Sequence, residues 1–352
     1  MHSSTSSSDP RVPPGPWGRT HAVAALLALA VLGGLEAFWR ARGHVPSVND
    51  DRDSWCVVRE RASGAGRDTL CVLGASRIQC AFVSRAFLEK CPGYQVLNLA
   101  VAGAGPFATL NDLAEDESFR GTVLCAVTEA GLLPEVADAQ EPFVRYYHSE
   151  WSLNKRLNRV MRTALQERLV VLHPNLALER VAQEFLARRR LPTPYFVVTH
   201  GDRSRDIDFS RRVVEKVEEQ RPAEGGAARR RGPTFDQLTI SDEGWRARVA
   251  EIERRVRRIQ GRGGAVVLLR PISRGERKAL EDKLFPRWKY WDVLAANTSA
   301  VTIHHEDVPS FAEFACPDDV HLDFRDTARF TGYLADELCR RGVVQGKGAG
   351  PM

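Results

Sequence analysis

The chain has 352 residues, 43% of them hydrophobic, and 50 Lys+Arg against 45 Asp+Glu give a formal charge of +5. That is enough apolar material for a real core, and α/β folds of this length often form a single unit. The charge comes largely from clustered arginines and is too small to argue for a nucleic-acid partner, so none is expected. The seven cysteines form no C-x-x-C pair, which argues against a zinc or redox motif. Their odd number excludes complete intramolecular pairing, and one bridge such as Cys80–Cys91 is the most that the set suggests.

Residues 1–21 read as a polar, Ser- and Pro-rich disordered leader. Ala22 to Leu35 is apolar without a break, Glu36 interrupts, and Ala37-Phe38-Trp39 carries the run to Arg40 and Arg42. These 18 residues (22–39) predict a transmembrane signal anchor, slightly shorter than the ~20 residues of a comfortable span. Trp39 and Arg40 suit the membrane interface. A cleaved signal peptide is the competing reading, but the small residues of Ala28-Leu29-Ala30 lie inside the apolar run rather than after it. The long downstream domain is expected outside the cytoplasm. Residues 40–66 read as a polar linker, with a folded domain over 67–342 and a disordered tail over 343–352.

From Thr69 the pattern alternates. Strands are expected at Thr69–Leu73, Gln95–Leu99, Thr122–Val127, Ala265–Leu269 and Ala300–Ile303. Helices are expected at Ile78–Lys90, from Phe107, at Trp288–Asn297 and at Phe324–Arg340. Short continuous apolar runs between helical segments indicate a parallel sheet covered on both faces. Cys71 and Cys125 lie inside such runs and read as small buried hydrophobes. Trp245, Val249, Ile252, Val256 and Ile259 recur at helical spacing, backed by a face with Arg246, Arg254, Arg257 and Arg258 that reads as solvated. Residues 141–235 break the rhythm and read as a basic helical insertion. Within it, Pro142–Arg190 is helical and the Gly/Ala/Arg-rich stretch from Pro222 to Pro233 is a disordered loop. The fold class is therefore an α/β three-layer sandwich with a parallel sheet of about five strands, flavodoxin-like in style, plus a helical insertion and an N-terminal transmembrane helix.

Three pieces carry chemistry. Leu73-Gly74-Ala75-Ser76-Arg77 follows the first strand, Asn98 to Gly105 follows the second, and Asp318-Val320-His321 with Asp319 between precedes the last helix. In an open parallel sheet the carboxyl ends of the strands share one edge, where sites form. A serine hydroxyl needs an imidazole to take its proton, and the imidazole needs a carboxylate to fix its tautomer. Asp318 has a rival in Asp319 and a structural alternative as a cap. Gly103 has a structural alternative in a tight turn, and Arg77 either meets an acid or binds substrate. His304-His305-Glu306-Asp307 resembles a metal cluster but lacks a further ligand at a defined spacing, so it reads as a loop.

These pieces, in this order, resemble the SGNH (GDSL-like) hydrolase superfamily. The branch they look closest to is membrane-anchored, bacterial, and acts in extracytoplasmic polysaccharide O-acetylation. The resemblance covers Thr69 to about Ala130 and Ala265 to Arg340. It implies Ser76 as nucleophile, His321 as base and Asp318 as the acid orienting the histidine. It also implies an oxyanion hole made by the backbone N–H groups of Ser76 and Gly103. The superfamily's Gly-x-Asn block is absent after the third strand. Thr128, in Val127-Thr128-Glu129-Ala130-Gly131, is the hydroxyl available there, while Asn111-Asp112 falls on a helix. The implied activity is an O-acyl (O-acetyl) esterase or transferase acting on an acylated carbohydrate or other acyl ester, with no metal or diffusible cofactor. A catalytically inactive membrane-tethered scaffold or polysaccharide-binding module is the alternative. A lipase or phospholipase is a third reading. Oligomeric state is not legible.

Overall fold

The computed structural model describes residues 17–211 and 239–347. In chain order the elements are α1 (Trp17–Ala41), α2 (Arg52–Ala62), β1 (Thr69–Leu73), α3 (Ser76–Gln79), α4 (Ser84–Lys90), β2 (Gln95–Asn98), α5 (Phe107–Glu115) and β3 (Thr122–Ala126). There follow α6 (Pro134–Ala137), α7 (Glu141–Ser149), α8 (Leu153–Gln166), α9 (Leu178–Arg188), β4 (Val197–Thr199) and β5 (Arg205–Ile207). The chain then gives α10 (Asp242–Gly261), β6 (Ala265–Arg270), α11 (Gly275–Leu284), α12 (Trp291–Ala296), β7 (Val301–His304) and α13 (Phe324–Arg340).

Five strands form one parallel sheet in the order β2-β1-β3-β6-β7. Strand alternation sends side chains to two separate cores. Cys71, Leu73, Val123, Cys125, Val266 and Leu268 face α2, α5, α10 and α12. Leu70, Val72, Leu124, Ala126, Val267 and Leu269 face α3, α4 and α13. Every residue of β1 and β3 is buried, which explains runs without polar alternation. Burial pushes the thiols of Cys71 and Cys125 up to about 12, so both stay neutral core groups. All seven cysteines are free, so the Cys80–Cys91 bridge is not formed; the Cys91 sulfur lies 3.5 Å from that of Cys339.

α1 is 25 residues long, with a mean hydropathy of 2.0 in its most apolar window. At 1.5 Å per residue it extends about 37 Å, long and apolar enough to cross a membrane. It takes in residues 17–21, which the sequence assigns to the leader.

Residues 40–66 are not a linker. Asp51 caps α2 through a capping box with Ser54. α2 buries Trp55, Cys56, Val58 and Ala62, and the Trp55 indole donates to the Leu99 carbonyl (3.1 Å). A charge of this stretch is satisfied internally: Arg59 is buried and donates to Asp112 and to Asp116 (3.0 Å). The tail is also partly ordered. Val344 is buried in the second core, and the Lys347 N–H donates to the Lys90 carbonyl (3.0 Å). Residues 348–352 lie outside the described residues.

The helix expected over Ile78–Lys90 is two segments, α3 and α4. The one expected over Pro142–Arg190 is three, α7 to α9, with turns between them, and it is followed by an antiparallel β4–β5 hairpin that the sequence pattern misses. The loop from Pro222 to Pro233 lies outside the described residues. α11 lacks a clear apolar period and also escapes the sequence reading.

Candidate active site

The strand order is that of a doubly wound sheet whose direction of progression switches between β1 and β3, and crevices form at the carboxyl edge there. β1 ends at Leu73 and the chain turns sharply through Gly74, at φ 148°. A Cβ on Gly74 would lie 2.6 Å from the Ile78 side chain and 3.0 Å from both Cβ and the carbonyl oxygen of Ala126, so only glycine fits. The turn delivers Ser76 to the first residue of α3, half-buried. Its backbone N–H belongs to a helical first turn, whose amides have no carbonyl partner within the helix.

His321 arrives from the loop before α13. Its Nε2 lies 2.9 Å from Ser76 Oγ, and its Nδ1 lies 2.8 Å from a carboxylate oxygen of Asp318. With Nδ1–H donated to Asp318, Nε2 is left as the acceptor for the serine hydroxyl. The other Asp318 oxygen accepts the backbone N–H groups of His321 (2.8 Å) and Val320 (3.2 Å). Burial alone would raise the Asp318 carboxyl. The hydrogen bond from the His321 ring, that ring's charge and the two amides outweigh it and hold the group down at about 2. Asp319 does not compete. Its φ of 71° turns the chain away, and its carboxylate accepts the Arg277 N–H (3.3 Å) instead. Two remote parts of the chain thus bring Ser76, His321 and Asp318 into one hydrogen-bonded series.

Gly103 lies exposed in the turn after β2 at φ 72°, a conformation that favours glycine. Its loop is fixed to the serine turn: the Val101 N–H donates to the Gly74 carbonyl (3.0 Å). Gln140, fully buried, donates from Nε2 to the carbonyls of both Gly74 (3.0 Å) and Ala104 (3.2 Å), and its Oε1 accepts from Thr109. One glutamine therefore clamps the two turns together. A lone Gln at the edge of an expected insertion carries no pattern that would reveal this. Thr128 stands half-buried just past β3, its hydroxyl oxygen accepting the Gly131 N–H (3.1 Å).

Arg77 meets an acid. It donates to Glu281 on α11 (2.5 Å) and to Ser273 Oγ (2.8 Å). Glu281 also accepts from Arg270 (2.7 Å), Ser273 (2.6 Å) and Arg277 (2.9 Å), and Arg270 grips Glu129 (2.9 Å). Burial of Glu281 would raise its carboxyl, but the adjoining guanidiniums hold it far below the ordinary range. This lattice ties the residue after the serine to the ends of β3 and β6. Asp112 pairs with Arg59 and with His148 (2.6 Å), and Asn111 accepts from Arg255 (2.9 Å), so neither replaces the absent asparagine block at the strand ends. His304 and His305 stack at the end of β7 with ring centroids 4.8 Å apart. Burial lowers them to about 4 and about 2, which keeps both neutral.

Compared with protein-family models and with the curated proteins, the chain matches none.

The Ser76–His321–Asp318 series is reachable from solvent, with 19% of the His321 and 25% of the Asp318 side chain exposed. A cavity of about 610 Å³ lies elsewhere, at the strand starts, lined by Arg67, Arg120, Thr122 and the segment Gly342–Lys347. Its lining includes none of Ser76, Asp318 and His321.

Proposed function

We propose that the chain is a serine-dependent O-acyl esterase or transferase of the SGNH type, acting on O-acetyl groups of an extracytoplasmic carbohydrate from a membrane anchor. The observation that carries this reading is the continuous series Ser76–His321–Asp318, with hydrogen bonds of 2.9 and 2.8 Å. Ser76 Oγ attacks the acyl carbonyl carbon while His321 Nε2 takes its proton. The tetrahedral oxyanion is held by the N–H groups of Ser76 and Gly103 and by the Thr128 hydroxyl. Its collapse expels the alcohol, which takes the proton from His321 and leaves the acyl group on Ser76. Water or a sugar hydroxyl then attacks, its proton passes to His321, and Ser76 leaves as the alcohol again. Asp318 remains ionised throughout and stabilises the imidazolium.

The test is acetate release from 4-nitrophenyl acetate by the full chain in detergent. Ser76→Ala is expected to lower the rate on the order of 10⁴-fold or more. Equal rates in both proteins would remove Ser76 from the mechanism. A scaffold without catalysis is the second reading, favoured by the missing asparagine block. It requires that a fluorophosphonate leave Ser76 unlabelled in folded protein. A lipase would turn over long-chain esters faster than acetyl esters.

A further inference from the structure

α8 is amphipathic in the wrong sense for a water-soluble domain. Leu153, Leu157, Val160, Met161 and Leu165 recur at helical spacing and form one stripe, and that stripe faces outward. Leu153 and Met161 are both 65% exposed. The inward face is polar: buried Arg159 donates to Asp51 (3.0 Å) and to the Asn49 carbonyl, and buried Gln166 accepts the Asn49 N–H (3.2 Å). α9 likewise presents Leu178 (86% exposed), Phe185 and Leu186 outward. An exposed apolar surface of this extent marks a binding face.

The foot of α1 identifies the occupant. Glu36 accepts the N–H groups of Val170 (3.0 Å) and Val171 (2.9 Å), in the turn joining α8 to α9, and Arg40 donates to the Arg168 carbonyl (2.7 Å). Trp39 is buried against Val170 and Leu176, with Val181 of α9 packed on them. The apolar stripes of α8 and α9 thus begin where the spanning helix leaves its membrane. Exposed Arg162, Arg168 and Arg189 border them. Outward apolar stripes edged with arginine, beside a span, match helices lying in the interface of an anionic bilayer.

We infer that α8 and α9 lie in the headgroup–acyl boundary of the bilayer that α1 crosses, forming a lipid-binding platform that fixes the domain's orientation. This rests on the anchor reading above, and the experiment separates the two. A photoreactive benzoylphenylalanine is placed singly at Leu29, Met161, Phe185 or Asp336 of the full chain. Each protein is reconstituted in vesicles of phosphatidylethanolamine and phosphatidylglycerol, irradiated and weighed by mass spectrometry. Asp336 is an exposed control on α13, on the other side of the sheet. Adducts one phospholipid heavier are expected at Leu29, Met161 and Phe185, at least tenfold above Asp336. Lipid adducts at Leu29, with Met161 and Phe185 no higher than Asp336 or joined to a second copy of the chain, overturn the platform alone. No lipid adduct at Leu29 overturns the anchor, and the platform with it.

Discussion

Two helices with similar apolar periodicity behave oppositely. α10 turns Trp245, Val249, Ile252, Val256 and Ile259 into the core and leaves Arg254 and Arg257 exposed. α8 turns Arg159 and Gln166 inward and leaves its leucines outside. Periodicity establishes that a helix has two faces, but not which one meets the protein. The partner decides. α10 lies on a sheet of bare aliphatic side chains, whereas α8 lies on α2 and on a strap, residues 47–51, whose Asn49 carbonyl and Asp51 carboxylate take donors from Arg159.

The largest effect separates the chemical edge from both helices. On the proposed mechanism, Asp318→Asn should lower ester turnover about 10⁴-fold by favouring the wrong histidine tautomer, while Leu157→Ser leaves it unchanged, as a 4-nitrophenyl acetate assay checks. Next is the inward face of α10. Ile252→Ala, at a position 1% exposed, should cost about 2–5 kcal/mol in thermal unfolding. Arg159→Met tests the inverted interior of α8. It strands the Asn49 carbonyl and Asp51, and should cost about 1–3 kcal/mol, against ±0.5 kcal/mol for the exposed Arg254→Met. Leu157→Ala in detergent should cost less than about 0.5 kcal/mol; a loss matching Ile252→Ala would put both helices in the same class. The last prediction concerns pH. The folded Asp318 carboxyl, at about 2, lies below its ordinary 3.8, so its stabilisation is complete above about pH 4 and is lost as pH falls through 2. Melting curves of Asp318→Asn should therefore show a shallower acid decline than the parent between pH 4 and 2.

The sheet and the serine series were the legible parts. Strands buried on both faces write themselves as apolar runs. Gly74-x-Ser76 and Asp318-x-x-His321 stand at strand and helix boundaries, where order along the chain indicates a shared edge. The supports were not legible. Gln140 acts by bridging two carbonyls, Glu281 sits on a helix without an apolar rhythm, and Arg59 is a buried charge whose partners, Asp112 and Asp116, lie more than fifty positions away. Such contacts depend on tertiary geometry and leave no local periodic trace. α2 was hidden for the same reason: Asp51-Arg52-Asp53 looks solvated until Arg159 and the capping box engage Asp51.

The strap that follows α1 leaves no slack. The Val48 N–H donates to the Thr199 carbonyl (2.9 Å), and Asp50 holds Gln79 (2.5 Å) and Arg203 (2.7 Å). Gln79 is three residues beyond Ser76, in the same short helix. A flexible leash of ten residues would let Ser76 roam on the order of 15–20 Å. On the proposed reading, a serine sewn down in this way works at one altitude above the lipid, and esters must be delivered to that height. The Asp50 carboxylate is one of the rigid links between the segment after α1 and the short helix that carries Ser76.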